Sequence, residues 1–293
     1  MINLYLSFLY LLFSLYVQQN IKEIGTLPKQ VRETSGLIFY NGKLITHNDS
    51  DNTPQLFELD TGSLSITRTV TLNNVKNMDW EDIAQDENYI YVGDFGNYKG
   101  DRKNLSIYRI PKSAYNTAEK VQADRIAFSY EDQVDFTSKS RSDWDAESLF
   151  VFGNQLVVLT KQWESNGTRA YTVPKVPGNY KAKNIGGYDI RGLVTGAEYN
   201  PLTRVLYLIG YNQMLFPFIA RVDGLQTDNI FSGTVKRTDL KIGFAQVEGI
   251  ARVGANRYFF SNEFMVNPLV KSPARLFVFS TSDDQLLSVD NGD

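Results

Sequence analysis

The sequence predicts an all-β protein, and two observations support this class. Aromatic residues make up 13% of the 293 residues, with 17 Tyr and 18 Phe, a composition typical of strands. A short motif also recurs about every fifty residues, and each copy is followed by alternating apolar segments separated by turn signals. The chain therefore consists of repeated β units.

The repeated motif is an oxygen-bearing residue, then a small or acidic residue, then an apolar residue. Its five copies begin at Ser35, Glu81, Glu147, Thr195 and Glu248, which we call the anchor residues. The interval between Glu81 and Glu147 is longer than the others. Residues 131–141 read as a loop that accounts for the extra length.

Each anchor opens the first strand of its unit, and three more strands follow in order. In the first unit the Asn41-Gly42 dipeptide separates the first two strands, a strong hairpin signal. The second strands are predicted at residues 43–46, 89–92, 155–159, 205–209 and 258–260. The third strands are predicted at residues 55–59, 105–110, 168–173, 218–222 and 275–279. Fourth strands, such as 65–72 and 124–130, lead into the next anchor.

Four antiparallel strands per unit at this period are typical of a propeller blade. Five anchors thus predict a five-bladed β-propeller, with six blades as the alternative. Residues 21–27 lie where other units place their fourth strand, so this segment is predicted to complete the last blade and close the ring. Residues 20–293 then form a single propeller domain.

Residues 1–19 form an uncharged, mostly apolar run, which predicts a secretory signal peptide. A retained membrane anchor is the alternative. In either case we expect export to the cell envelope or the exterior. We expect no membrane contact beyond this segment and a monomeric protein.

Charge and composition exclude several function classes. Lys and Arg number 30 against 33 Asp and Glu, a net charge of −3, so the basic footprint of a nucleic-acid-polymer-binding protein is missing. The chain has no cysteine and one histidine, which excludes thiolate zinc sites and all-histidine metal sites. A bound metal should therefore be a hard cation held by oxygen atoms.

The anchors suggest where such a cation would bind. The first strand of each propeller blade lines the central channel, so the five anchors would face one another. Three crowded carboxylates repel, and they either retain protons or bind a cation. Calcium (Ca2+), with six to eight oxygen ligands, suits this set. Alternatively, the glutamates accept hydrogen bonds from neighbouring blades around a water-filled channel.

Several segments resemble the calcium-activated nucleotidase (apyrase) family: residues 33–37, 40–44, 91–93, 146–147 and 247–250. That family is a five-bladed propeller with a central calcium ion. The resemblance implies ligands at the five anchors, with Thr195 where the family has serine. Residues 48–50 lack the family's arginine, and Lys161 stands where the family has a basic pair, so charge that would hold a polyphosphate is missing. Residues 79–84 also resemble secreted bacterial propellers of the phytase-like esterase type.

Polar residues at strand ends are expected to meet at one mouth of the propeller. His47 is a candidate general base, Asp49 or Asp94 a candidate for activating water, and Lys161 a candidate phosphate ligand. Each also has a structural reading: a buried histidine, turn-closing aspartates and a lysine that balances acids. Trp80 and Trp144 predict aromatic walls for a planar or sugar-like ligand, with packing between blades as the alternative.

These features favour a metal-assisted hydrolase of phosphate or other esters, nucleotidase-like in its site. The alternative is a non-catalytic propeller that binds a glycan or peptide and carries a structural calcium. Both readings place a small-molecule or glycan ligand at the mouth. They differ in whether Asp49, Asp94 and Lys161 converge within reach of the metal.

Overall fold

The computed structural model describes residues 21–266 and 271–281, and the predicted signal segment 1–19 lies outside them. The all-β prediction is confirmed. Within the described ranges the regular structure is strand, apart from helix α1 (Lys112–Thr117) and a 3-10 turn at Lys29–Val31. No helix in these ranges is long and apolar enough to cross a membrane.

The strands fall into five successive units. The strand β1 (Lys22–Thr26) comes first. The first unit contains β2 (Thr34–Tyr40), β3 (Lys43–Asn48), β4 (Gln55–Leu59) and β5 (Ile66–Leu72). The second contains β6 (Trp80–Gln85), β7 (Tyr89–Asp94), β8 (Ser106–Pro111), the short β9 (Lys120–Val121) and β10 (Asp124–Tyr130). The third contains β11 (Asp145–Phe152), β12 (Gln155–Lys161), β13 (Thr168–Pro174) and β14 (Gly178–Tyr188).

The last two units follow the same order. The fourth contains β15 (Leu193–Asn200), β16 (Val205–Tyr211), β17 (Pro217–Asp223) and β18 (Thr234–Asp239). The fifth contains β19 (Val247–Arg252), β20 (Arg257–Asn262), the small hairpin β21 (Met265–Val266) and β22 (Lys271–Ser272), and β23 (Arg275–Ser280). Residues 131–144 contain no strand, so the long interval before Glu147 is a loop, as predicted.

Within each unit, the main strands that follow one another along the chain pair in antiparallel order. Two parallel contacts link units at their outer edges. Strand β9 pairs with β5, and β10 pairs with β14 from Ile126↔Gly178 to Tyr130↔Ala182. The second contact joins the second and third units into one eight-stranded sheet.

Strand β1 completes the fifth unit. It pairs with β23 in antiparallel register from Lys22↔Val278 to Thr26↔Arg275, giving the order β1-β23-β20-β19. This is the placement that the sequence predicts. Residues from the two ends of the described chain therefore share one sheet, which covers the outer edge of β23.

The five anchor-bearing strands surround a common space. They contact one another in the order β2, β6, β11, β15 and β19, and β19 contacts β2. Five apolar clusters fill the space between consecutive units; one of them joins Leu37 and Leu59 of the first unit to Phe259 and Leu276 of the fifth. Because both faces of a strand such as β16 are buried, burial of apolar surface holds the anchors close together.

Candidate metal centre

Each anchor residue lies at a β-bulge. The pairing register between the first two strands of a unit shifts at every anchor: Thr34/Leu37, Trp80/Asp82, Ala146/Ser148, Val194/Gly196 and Val247/Ile250. A bulge leaves one residue out of the ladder and re-aims its side chain. The same local irregularity therefore sets the direction of all five anchors.

The small residue after an anchor has a packing role. A Cβ on Gly36 would collide with the main chain of Ile83, on Gly196 with the carbonyl oxygen of Glu248, and on Gly249 with the carbonyl oxygen of Ser35. Glycine thus lets neighbouring anchor strands approach closely.

The two hydroxyl anchors tie neighbouring strands together. Ser35 donates its hydroxyl hydrogen to the main-chain oxygen of Glu81, and Thr195 donates to that of Val247 at 2.5 Å. Both side chains are buried. Ser35 lines the central cavity described next, whereas Thr195 does not.

A strongly acidic cavity of about 240 Å³ lies where the anchor strands meet. Its carboxyl groups belong to Asp49, Asp79, Glu81, Asp145, Glu147, Glu248 and Glu263. Lys161 is the one cationic residue among the described residues that line it. Three of the five anchors therefore contribute a carboxylate, and four further acids join them.

Two acidic triads within this cavity share one residue. In Asp49–Asp79–Glu81 and in Glu81–Asp145–Glu147, one carboxylate oxygen from each residue lies within 4.8 Å of the others. Glu81 is only 8% exposed, and no described residue donates a hydrogen bond to its carboxylate. A proton or a cation would offset the cost of burying this carboxylate among other acids, so the cluster has the chemistry of a metal site.

The second triad is better supplied with protein donors than the first. Asp145 accepts hydrogen bonds from the main-chain amide of Asn97 at 2.6 Å and from the indole of Trp163 at 2.8 Å. Glu147 forms an ion pair of 3.0 Å with Lys161. In the first triad, the carboxylate of Asp49 accepts a hydrogen bond of 2.5 Å from the main-chain amide of Ser50. The carboxylate of Asp79 lies 3.9 Å from the guanidinium group of Arg102.

The loop after β7 leaves room for the first triad. The amides of Phe95 and Gly96 donate to the main-chain oxygen of Asp79 at 3.1 and 3.2 Å. The carboxylates of Asp79 and Glu81 occupy the space that a side chain on Gly96 would take. A glycine here is therefore a requirement of the acidic cluster.

Burial and mutual repulsion shift the acids away from their ordinary titration. Burial raises the pKa of Asp49 to about 6. Burial together with neighbouring carboxylates raises the pKa of Asp79 to about 7 and that of Glu263 to about 9. Burial raises the pKa of Glu248 to about 7 and, with the charge of Glu147, holds the pKa of Glu81 well above its usual range. Near neutral pH the cavity holds protons unless a cation replaces them.

Lys161 is a fixed positive charge in this cavity. Burial by itself would lower the pKa of Lys161, but Glu147, Tyr211 and Glu248 outweigh it and hold that pKa well above the ordinary value. Its ammonium nitrogen lies 4.7 Å from the ring centre of Trp163 and 5.3 Å from that of Tyr211. These contacts hold the ammonium beside Glu147.

The structure separates the candidate catalytic residues. Asp49 and Lys161 line the cavity, but His47 and Asp94 do not. His47 is fully buried 5.6 Å from the Trp80 ring, and burial lowers its pKa to about 4. Asp94 forms an ion pair of 2.7 Å with Arg102 and accepts a hydrogen bond of 3.2 Å from the hydroxyl group of Tyr108. Both side chains have structural partners outside the acidic cavity.

The aromatic wall comes from residues other than the two tryptophans before the anchors. Trp80 is completely buried, and Trp144 packs on Tyr130 with the ring centres 5.3 Å apart. Trp163 lines the cavity beside Tyr98, in an edge contact with the ring centres 5.5 Å apart. Packing between units is therefore the role of Trp80.

The ligands predicted from the sequence do not include Asp79 and Asp145, which the structure places in the acidic triads. Each precedes a glutamate anchor by two positions, and residues two apart on a strand share a face. The repeated spacing Asp-x-Glu was the available signal.

The chain matches no protein-family model, and no curated protein matches it. Among solved structures, hydrazine synthase of Kuenenia stuttgartiensis is similar over 88% of this chain and 65% of that one, with 11% identity and a TM-score of 0.43. An exo-β-1,3-galactanase of Phanerochaete chrysosporium is similar over 70% of this chain and 47% of that one, with 14% identity and a TM-score of 0.47. The chain thus spans less than two thirds of either protein, and these likenesses assign it no activity.

Proposed function

We propose that this protein is a five-bladed β-propeller with a divalent cation, calcium, in its central acidic cavity. Three observations support the blade count: five successive units of four main antiparallel strands, two of them joined in one eight-stranded sheet, the closed order of contacts between anchor strands, and the apolar clusters between units. Calcium is favoured because seven of the described residues that line the cavity carry carboxyl groups, and carboxylate oxygens in a flexible set are the ligands that calcium prefers.

The observation that carries this proposal is the state of Glu81. Its carboxylate is buried, belongs to both acidic triads and has no donor among the described residues. Asp49 and Asp79 complete the triad that lacks a lysine. We assign Asp49, Asp79 and Glu81 as the residues that hold the ion; of the other anchors, Ser35, Glu147 and Glu248 line the same cavity.

We further propose that the site hydrolyses an ester. When bound, calcium supplies a positive charge that polarises the ester and stabilises the negative charge that develops on it. Glu248 and Glu263 line the cavity outside both triads, and we assign Glu263 to accept a proton from the attacking water. A cation bound at Asp49 would offset one of the negative charges that raise the pKa of Glu263, which favours the ionised form that this role requires. Asp49, considered for this role on sequence grounds, lies within the ion-binding triad instead.

Charge in the cavity restricts the substrate class. Seven carboxyl groups against one lysine repel a polyphosphate. The substrate we propose is therefore a small phosphate monoester or carboxylic ester rather than a nucleoside triphosphate. The nearby rings of Tyr98, Trp163 and Tyr211 would contact its apolar part.

Calorimetry followed by an activity screen tests this proposal. Chelator-treated protein is titrated with calcium and then assayed with p-nitrophenyl phosphate, p-nitrophenyl acetate and ADP. We expect calcium binding, hydrolysis of one of the first two esters, and loss of both properties in Glu81→Gln. Glu263→Gln should keep calcium binding and lower kcat. Calcium binding without hydrolysis by any preparation would reject the enzymatic part.

The second candidate function is glycan or peptide binding around a structural calcium. The edge contact between Tyr98 and Trp163 at the cavity favours it, because such aromatic faces stack on sugar rings. Trp163→Ala would then abolish binding on a glycan or peptide array, while Glu263→Gln would leave it intact. Loss of array binding in Glu263→Gln would speak against this candidate.

We also propose that the protein is exported and acts as a monomer outside the cytoplasm. The apolar run at residues 1–19 supports export. Fractionation of the native host and mass measurement of the mature amino terminus test it. Recovery of the protein with residue 1 intact in the cytosol would contradict it.

A further inference from the structure

Lys161 lies at the end of β12, directly opposite Asp145 in the β11–β12 register. Its ammonium is 3.0 Å from a carboxylate oxygen of Glu147, and each of these two side chains is only 7% exposed. The lysine is therefore buried beside Glu147, one member of the second acidic triad.

The surrounding side chains fix the ammonium there. Trp163 and Tyr211 place their rings 4.7 and 5.3 Å from the ammonium nitrogen, and the Trp163 indole donates to Asp145. As a result, Asp145 and Glu147 both have partners. Glu81, 8% exposed, is the member of that triad without a donor, and it also faces Asp49 and Asp79.

We propose that Lys161 is a tethered cation that limits the cavity to one divalent ion, held by Asp49, Asp79 and Glu81. The second triad, Glu81–Asp145–Glu147, also brings three carboxylates together, and the lysine pairs with one of them, Glu147. Two cations that share carboxylates repel each other, so the ammonium excludes a second ion. This inference rests on the proposed cation site and adds its stoichiometry and the residue that sets it.

The lysine also assigns different roles to two glutamate anchors. Glu81 is a ligand of the bound ion, whereas Glu147 is the counter-ion of Lys161. Removing the lysine should therefore create a second cation site, with Glu81 bridging the two ions. Removing Glu147 should leave the single site in place.

Binding stoichiometry tests this inference. Calcium is titrated into chelator-treated wild type, Lys161→Met, Lys161→Arg and the exposed-lysine control Lys181→Met, and folding of each is checked by circular dichroism. We expect one ion per chain in wild type, Lys161→Arg and Lys181→Met, and two in Lys161→Met. With manganese as the probe, Lys161→Met should show the electron paramagnetic resonance signature of a spin-coupled pair, which wild type should lack.

The possible results separate the two proposals. Two ions in wild type, or one in folded Lys161→Met, would overturn the role of Lys161 while leaving a cation site in place. No ion in wild type would overturn the proposed function, and this inference with it. Should Lys161→Met not fold, Glu147→Gln decides: retention of one ion supports the inference, and loss of binding overturns it.

Discussion

The carboxylate of Asp82 on β6 accepts a hydrogen bond of 2.7 Å from the main-chain amide of Leu149 on β11. Its other carboxylate oxygen accepts a hydrogen bond of 2.8 Å from the main-chain amide of Ile83. Because Asp82 and Leu149 are both buried, this side chain links two anchor strands inside the protein, one position beyond Glu81. The spacing between the two triads therefore depends on a residue that does not line the cavity.

Replacing Asp82 should destabilise the fold. Asp82→Ala leaves two buried amides without an acceptor, each costing about 1–3 kcal/mol. We expect the free energy of unfolding in urea to fall by about 2–6 kcal/mol, measured with chelator present so that ion binding does not contribute. Asp82→Asn keeps one acceptor oxygen and should lose about half as much. An unchanged urea midpoint in Asp82→Ala would refute the link.

Gly96→Ala should weaken calcium binding more than folding. The added methyl group would collide with the carboxylates of Asp79 and Glu81. We expect the calcium Kd to rise about tenfold or more, equivalent to about 1.4 kcal/mol. Gly62→Ala is the matched control, because its Cβ would meet only the Asp60 carboxylate at 3.4 Å, and neither residue lines the cavity. Equal calcium affinities in the two variants would contradict the assignment of Asp79 and Glu81.

The cation-free protein should lose stability as pH rises. Asp79 and Glu248 have pKa values of about 7 in the folded chain, and Glu263 about 9, all above their ordinary values. The folded chain then binds protons that the unfolded chain has released, so the free energy of unfolding falls as pH increases through these values. The melting temperature with chelator should be lower at pH 8.5 than at pH 6.5.

The comparison starts at pH 6.5 because His47 changes the pH dependence of stability below that value. Burial lowers the pKa of His47 to about 4, so below its ordinary value of 6.5 the unfolded chain binds a proton that the folded chain does not. Its contribution to stability therefore decreases as pH falls below about 6.5, opposite to that of the acids.

For the acids, excess calcium should abolish the decrease in melting temperature between pH 6.5 and pH 8.5. A melting temperature that rises between pH 6.5 and 8.5 in chelator would contradict this account.

His47 should matter for folding and not for the cation site. Its ring packs edge-on against Trp80 and is fully buried outside the cavity. We expect His47→Ala to lower the melting temperature by several degrees, as truncation of a buried ring does, and to leave calcium affinity within about twofold. Isothermal titration of the folded variant checks this. A large loss of calcium affinity in well-folded His47→Ala would return the histidine to the site.

The repeat pattern predicted more of the fold than of the site. Anchor spacing and alternating strands placed β2, β6, β11, β15 and β19 and the pairing of β1 with the last sheet, because a propeller-like repeat imposes the same local pattern on every unit. The parallel pairing of β10 with β14 was not foreseen. It arises between outer edge strands, where no periodic signal constrains the register.

At the site, the sequence identified which residue types meet but not how they pair. Four of the five anchors and Asp49 reach one cavity, whereas the fifth anchor, Thr195, does not line it. The ion pair of Lys161 with Glu147 and that of Arg102 with Asp94 depend on side-chain packing at loop ends, which sequence spacing does not encode. Asp94 is consequently held by Arg102 outside the cavity.

Thermal unfolding of wild type and Glu81→Gln, in chelator and in excess calcium, tests the central claim most directly. Calcium at a hundred times its Kd stabilises a protein with one site by about 2.7 kcal/mol, which should raise the wild-type melting temperature by several degrees. Glu81→Gln should melt at the same temperature with and without calcium. An identical calcium shift in both proteins, or no shift in wild type, would contradict the assignment of this cavity as a cation site.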